Sequence, residues 1–210
     1  IQNRMGIGDT VIFLPYIKTL SQKFNSPISI LVKESSKANQ YLDQTNYIDQ
    51  ILILERDHKY NRHSGFFGIL NLVKDIKKYN FDKIFIFNSS VRFNLIAKLS
   101  GIPEIYQYPL FQKAKQHIID TPKKFIKDKL NLEVNEDSEI QITNKISYNF
   151  KEKFQIDSNE TNILLGIGGS GSTKRIPSNT FLKLIEKISE IKKCKFFLAT
   201  GKAYEEQIIL

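Results

Sequence analysis

Short apolar runs alternate along the chain with stretches whose apolar positions recur every three or four residues. Val11, Leu14, Ile17, Leu20 and Phe24 keep a helical spacing. Ile28 to Val32 and Ile51 to Leu54 read as buried strands, and Lys83 to Phe87 as a third. Phe66 to Tyr79 is amphipathic: Ile69, Leu72, Val73 and Ile76 face one way, with Lys74, Lys77 and Lys78 elsewhere. Val91 to Leu99 predicts a helix stopped by Gly101 and Pro103. Lys123 to Leu130 is helical, and Ile140-Gln141-Ile142 predicts a short strand.

Strand–helix alternation with continuous apolar strands predicts an α/β fold whose parallel sheet is covered on both faces. The polar stretch Ser158-Asn159-Glu160-Thr161 precedes a fresh strand–loop–helix–strand unit that begins at Asn162. A domain boundary is therefore placed near Asp157, giving an N-terminal domain over 1–157 and the start of a second over 158–210. Right-handed crossovers put the loops after the strands on one edge of each sheet, where ligands bind. Gly6-Ile7-Gly8-Asp9-Thr10 reads as a loop after a strand, and Glu205 to Leu210 stops inside a helical pattern. The expectation is a piece of a longer protein.

Hydrophobic residues make up 41% of the 210, which is enough for a real core. The one cysteine, Cys194, rules out an internal disulfide and suits a reducing compartment and an inert packing role. No apolar run reaches the roughly twenty residues that span a bilayer, and no signal peptide is visible. Net charge is +9, which favours anionic partners. The lysines are spread widely, and neither an arginine–aromatic cluster nor a helix-turn-helix pattern stands out. Nucleic acid is discounted accordingly.

The strongest chemical signal is the stretch from Gly166 to Pro177, GIGGSGSTKRIP. It follows the apolar run Ile163-Leu164-Leu165 and precedes a helical pattern beginning near Ser178. Small residues let backbone N–H groups approach an anion, Lys174 supplies charge, and a helix N-terminus adds its dipole. A phosphate ligand fits this loop; so does a plain glycine-rich surface turn. Two familiar fingerprints fail. Gly166, Gly168 and Gly171 match G-x-G-x-x-G, but the next strand, Lys195 to Ala199, ends in Thr200-Gly201 without the acid a dinucleotide site uses. For a Walker A loop, Thr173 stands where Gly is needed and Arg175 where Ser or Thr is needed.

Asp9 lies before an apolar helix that contains Pro15. A carboxylate there either stabilises the first helical turn or serves as a general base at the mouth of the sheet. His58, His63 and His117 are isolated and read as surface or packing residues, so no metal site is indicated. Arg62 and His63 with Lys59 fall in a loop after a strand, and Arg92 follows the Asn88-Ser89-Ser90 loop. Arg62 and Arg92 are candidates for contact with phosphates or acidic sugars of an acceptor; solvated loop cations are the alternative.

These residues carry a resemblance. Arg4-Met5-Gly6-Ile7-Gly8-Asp9-Thr10-Val11 with Leu14-Pro15 is similar to the opening of the heptosyltransferase family of glycosyltransferases (family 9). Asn46-Tyr47-Ile48-Asp49 resembles its NPYID turn. Phe81-Asp82-Lys83-Ile84, Ser90-Val91-Arg92 and Ala97-Lys98-Leu99-Ser100-Gly101 resemble its YDLVIDL…GSLRSALLARLSG stretch. Gly168-Gly169-Ser170 with Lys174-Arg175-Ile176-Pro177 resembles its GAS…KRWP element. The motifs run in the family order over essentially the whole chain.

The resemblance implies a GT-B fold, two Rossmann-like domains facing each other across a cleft, of which 158–210 is the first part of the second. It implies an inverting, metal-independent transferase without a cofactor. Such an enzyme moves a sugar, typically heptose from ADP-heptose, onto the lipopolysaccharide core, a lipid-linked acceptor. The setting is the cytoplasmic face of the anionic inner membrane. Asp9 falls at the family's catalytic Asp, and Ser170 and Lys174 at its donor contacts, with Gly168 and Gly169 in the same loop. Glu205 falls near a Glu that touches the nucleoside. A carboxylate suits the deprotonation of an acceptor hydroxyl, and Lys174 with backbone N–H groups suits a departing diphosphate.

Departures are visible. Ile176 replaces the family Trp, most of the first strand is absent, and the later Asp-[Ser/Thr]-Gly…His donor segment is absent. Little turnover is expected from these 210 residues alone. The competing reading is a non-catalytic nucleotide- or sugar-phosphate-binding module of the same fold.

Overall fold

The computed structural model describes residues 6–56, 61–110, 117–168 and 176–200. The chain divides into two compact units, 1–142 and 143–210.

In the first unit, helix α1 (Ile7–Phe24) leads into strand β1 (Ile28–Val32) through the left-handed residue Asn25, which closes the helix by donating to the Gln22 and Ser21 carbonyls. Two short 3-10 turns, Glu34–Ser36 and Ala38–Gln40, carry the chain to β2 (Ile48–Ile53). Then follow α2 (Phe67–Lys77), β3 (Lys83–Ile86), α3 (Val91–Leu99), β4 (Glu104–Gln107) and α4 (Asp120–Leu130). β1 pairs with β2 and β3 with β4, both parallel, with Leu31 opposite Leu52 and Phe85 opposite Tyr106. The β-strand–helix alternation and the parallel pairing agree with the α/β expectation.

Two cores hold this unit. One gathers around α1, where Leu14, Tyr16 and Leu20 are almost wholly buried. Its aromatic members Phe13, Tyr16, Phe87, Tyr108 and Phe125 meet mostly edge-to-face. The other packs Leu72, Val73 and Ile76 of α2 against Ile86 and against Phe93, Ile96 and Ala97 of α3. Each fully buried side chain of this size is worth roughly 1.5–3 kcal/mol. The i, i+4 spacing of Leu72 and Ile76 is what gives α2 its inner face.

The structure departs from two expectations and adds one strand. α1 begins at Ile7, so Gly8, Asp9 and Thr10 form its first turn rather than a loop. Ile140 to Ile142 is not a strand. This segment is a strap tied across the unit by side chains: Gln141 Oε1 accepts from Asn46 N at 2.9 Å, and Glu136 pairs with Lys18 at 2.7 Å. β4 runs through Glu104-Ile105-Tyr106-Gln107, where only the two central residues are apolar, too short a run to mark a strand in the sequence.

The second unit contains α5 (Asn144–Phe154), β5 (Thr161–Gly166), α6 (Ser178–Ile191) and β6 (Cys194–Ala199). β5 and β6 pair in parallel from Thr161–Cys194 to Gly166–Ala199. α5 starts at the Thr143 cap, whose hydroxyl accepts from Ile146 N at 3.3 Å. The unit thus takes in α5, which lies on the N-terminal side of the boundary placed near Asp157.

Candidate functional site

The candidate residues of the first unit are set by loops at the carboxyl ends of its strands. α1 precedes β1 and runs back against it, so the helix start lies at that same edge, beside the Glu34–Ser36 turn that follows β1. Gly6 caps α1, and its N–H donates to Asp9 Oδ2 at 3.2 Å. Thr10 closes the turn by donating its hydroxyl to the Gly6 carbonyl at 2.9 Å. Asp9 therefore performs the capping role foreseen for it. Only one carboxylate oxygen is used: among the described residues Oδ1 has no partner, and the side chain is half-buried. A capping carboxylate with one uncommitted oxygen is held in place and can still accept a proton.

The loop after β3 is fixed from behind. Asn88 is 3% exposed, and its Oδ1 accepts from Ser90 N at 2.9 Å. Gln107, the last residue of β4, donates Nε2 to the carbonyls of Asn88 and Ser90, each at 3.0 Å, while its Oε1 accepts from Asn94 Nδ2 at 2.7 Å. One amide thus ties β4, the 88–90 loop and α3 together. Sequence reading did not single out Gln107; its partners lie up to 19 residues away.

Arg92 and Arg62 are both in use. Arg92 donates Nη1 to the Gly65 carbonyl at 2.8 Å and Nη2 to the His63 carbonyl at 2.7 Å. Burial, with Arg56 nearby, lowers its pKa. Arg62 forms a fork on Asp75, Nε to Oδ2 at 3.0 Å and Nη2 to Oδ1 at 2.8 Å. His63 is 3% exposed; its Nδ1 accepts from Glu55 N at 3.1 Å, which leaves Nε2 to donate to Asp75 Oδ2 at 3.1 Å. Lys78 adds a further contact to Asp75 at 2.9 Å. The Arg62 hydrogen bonds, then those of Lys78 and His63, hold the Asp75 carboxyl well below the usual carboxylate range against the opposing effect of burial.

The turn over residues 63–68 also depends on two glycines. Gly65 has φ +64°. A Cβ on Gly68 would run into the His63 backbone, lying 2.8 Å from its Cα and closer still to its carbonyl group. Arg62 and Arg92 thus shape the loop itself, a role invisible from their positions in the sequence.

In the second unit, Gly168 follows the end of β5 and is exposed, just past Ile167, whose N–H donates to the Ala199 carbonyl at 3.0 Å. The other donor-side candidates, Gly169, Ser170, Lys174 and Glu205, lie outside the described residues. Among the described residues no group of His, Cys, Asp and Glu is arranged to hold a metal ion.

No family model matches the chain, and no curated protein matches it in sequence. Solved structures do. The glycosyl transferase family 9 structure from Veillonella parvula superposes at a TM-score of 0.68, with 16% identity, over 98% of this chain and 70% of that one. The fold is that of the family 9 glycosyltransferases. Escherichia coli ADP-heptose lipopolysaccharide heptosyltransferase II matches at a TM-score of 0.64, with 11% identity, over 99% of this chain and 65% of its own. The E. coli heptosyltransferase WaaC with ADP matches at 0.64, with 15% identity, over 98% and 68%. The chain thus spans about two thirds of the length of these GT-B proteins.

Proposed function

We propose that this chain is part of an inverting, metal-independent glycosyltransferase of family 9. It transfers a sugar from a nucleotide-diphosphate donor to a lipid-linked saccharide acceptor of the lipopolysaccharide core. The observation that carries the reading is the ordered fold match to glycosyltransferases over 98% of the chain, with Asp9 fixed at the start of α1 and one oxygen uncommitted. ADP-heptose is the donor of choice, because E. coli WaaC is solved both with ADP and with ADP-2-deoxy-2-fluoro heptose. The site of action is the cytoplasmic face of the inner membrane, with peripheral contact.

In this mechanism Asp9 Oδ1 takes the proton of the acceptor hydroxyl as its oxygen attacks the anomeric carbon. The bond from that carbon to the diphosphate oxygen breaks, with inversion. Negative charge gathers on the departing nucleoside diphosphate, where Lys174, Ser170 and backbone N–H groups of Gly168 and Gly169 stabilise it. Glu205 contacts the nucleoside. Arg92 and Arg62 shape the acceptor-side loop and leave their remaining surface to acidic acceptor groups.

The test is Asp9→Ala in the full-length protein. Turnover with ADP-heptose and lipid acceptor falls by about 10² to 10⁴ while ADP affinity stays within about twofold. Undiminished turnover removes Asp9 as the base; absence of any transfer by the wild-type protein removes the transferase reading itself.

A further inference from the structure

The outer face of α2 is unusual for a surface helix. Phe66 and Phe67 are 74% and 76% exposed, meet edge-to-face with centroids 6.0 Å apart, and are joined by the exposed Leu70. At 100° per residue, Phe66, Phe67, Leu70, Lys74, Lys77 and Lys78 all fall within one 120° stripe. Leu72 and Ile76 on the opposite side, and Val73 at the border of the stripe, are committed to the core. Aromatic groups occupy the first turn of the stripe and lysines its last two turns, about 11–17 Å further along.

The aromatic end is rigidly mounted. Arg92 clamps the His63 and Gly65 carbonyls directly before Phe66. Gly68 lets the helix pack onto the His63 backbone. Two large aromatic side chains are therefore held out into water on a braced support, although no internal packing requires them there.

Charge selects the partner. Residues 56–78 hold six Lys or Arg against two Asp, Asp57 and Asp75. Asp75, the one acid on α2, is already engaged by Arg62, His63 and Lys78. The stripe thus presents apolar rings followed by cations, and a surface that is apolar at depth and anionic at its face complements it.

We propose that this face of α2 docks on an anionic bilayer. Phe66, Phe67 and Leu70 enter the acyl boundary, and Lys74, Lys77 and Lys78 lie against headgroup phosphates, the helix tilted with its first turn down. The inference deepens the reading above by naming the surface that brings the protein to a lipid-linked acceptor, and it rests on that reading only for what the acceptor is.

Co-flotation of the 210-residue chain with vesicles tests it, with no donor or acceptor present, so that a failed transfer assay and a failed docking assay remain distinct. The wild-type chain is expected to float with phosphatidylcholine–phosphatidylglycerol vesicles and not with phosphatidylcholine alone. Phe66→Ser with Phe67→Ser should weaken partitioning by about tenfold or more. Lys74→Glu with Lys77→Glu should abolish the preference for anionic lipid. Both pairs are exposed, and circular dichroism checks that the fold persists. Equal flotation of the Phe variant, equal binding to neutral vesicles, or no binding by the wild-type chain overturns the proposal. So does self-association that the Phe variant loses without any vesicle binding, which would make the stripe a protein interface.

Discussion

His63 Nε2 lies 3.1 Å from Asp75 Oδ2, and the imidazole is almost wholly out of solvent. The pair joins the loop after β2 to the third turn of α2, and Arg62 and Lys78 complete it from the surface.

The Asp75 carboxylate is favoured in the folded state, so its pKa there is depressed relative to the unfolded chain. A depressed carboxylate stabilises the fold above the unfolded value, about 3.9, and loses that contribution as pH falls through and below it. Urea unfolding midpoints should drop between about pH 5 and pH 3, and Asp75→Asn should flatten that part of the profile. Near pH 7 the variant should be less stable by about 1–3 kcal/mol, since a charge-assisted network is broken. Parallel profiles for the two proteins would show that Asp75 does not drive the acid transition.

Gly68→Ala adds one methyl group against the His63 backbone. Backbone cannot rotate away as a side-chain tip can, so either α2 or the 63–65 turn must move. A loss of about 1–3 kcal/mol is expected in denaturant titration, despite the better helix propensity of Ala. A stability equal to or above that of the parent would mean that the helix start is not seated on His63.

Arg92→Met keeps much of the aliphatic stem and removes both carbonyl contacts. Hydrogen exchange should accelerate across residues 63–68, and stability should fall by about 1–3 kcal/mol. Arg92→Lys should not restore protection, because an ammonium cannot reproduce the guanidinium fork. Unchanged exchange in both variants would return Arg92 to the role of a free loop cation.

Asp9→Asn separates capping from chemistry. The amide keeps an oxygen for the Gly6 N–H, so thermal stability should change by less than about 1 kcal/mol. Turnover of the full-length protein should nevertheless fall as far as is expected for Asp9→Ala. Equal losses of stability and activity would make the helix cap the whole explanation of this residue.

The strands were legible where burial makes the pattern continuous, as in Ile28 to Val32, and α2 was legible because its inner face repeats at i and i+4. Ile140-Gln141-Ile142 misled because alternation mimics a strand, whereas Gln141 serves Asn46. α5 was missed for the converse reason: Ile146, Tyr148 and Phe150 are spaced by two, and none is buried. The capping contact of Asp9 was legible because its partner Gly6 is three residues away. The clamp by Arg92 was not, since its acceptors lie 27 and 29 residues earlier and are backbone carbonyls without any side-chain signature. Gln107 escaped for the same reason.

The aromatic cluster around α1 gives the chain a built-in optical reporter. The protein has nine tyrosines and no tryptophan, so its near-ultraviolet signal comes chiefly from phenols. Burial, with the Asp120 charge adding to it, pushes Tyr16 up to about 12, and burial raises Tyr108 as well. Tyr41, Tyr47 and Tyr106 are raised too, so in alkaline titration the phenolate absorbance should rise over a broad range, with Tyr16 and Tyr108 in its latest part. Loss of that latest part would report opening of the α1 core.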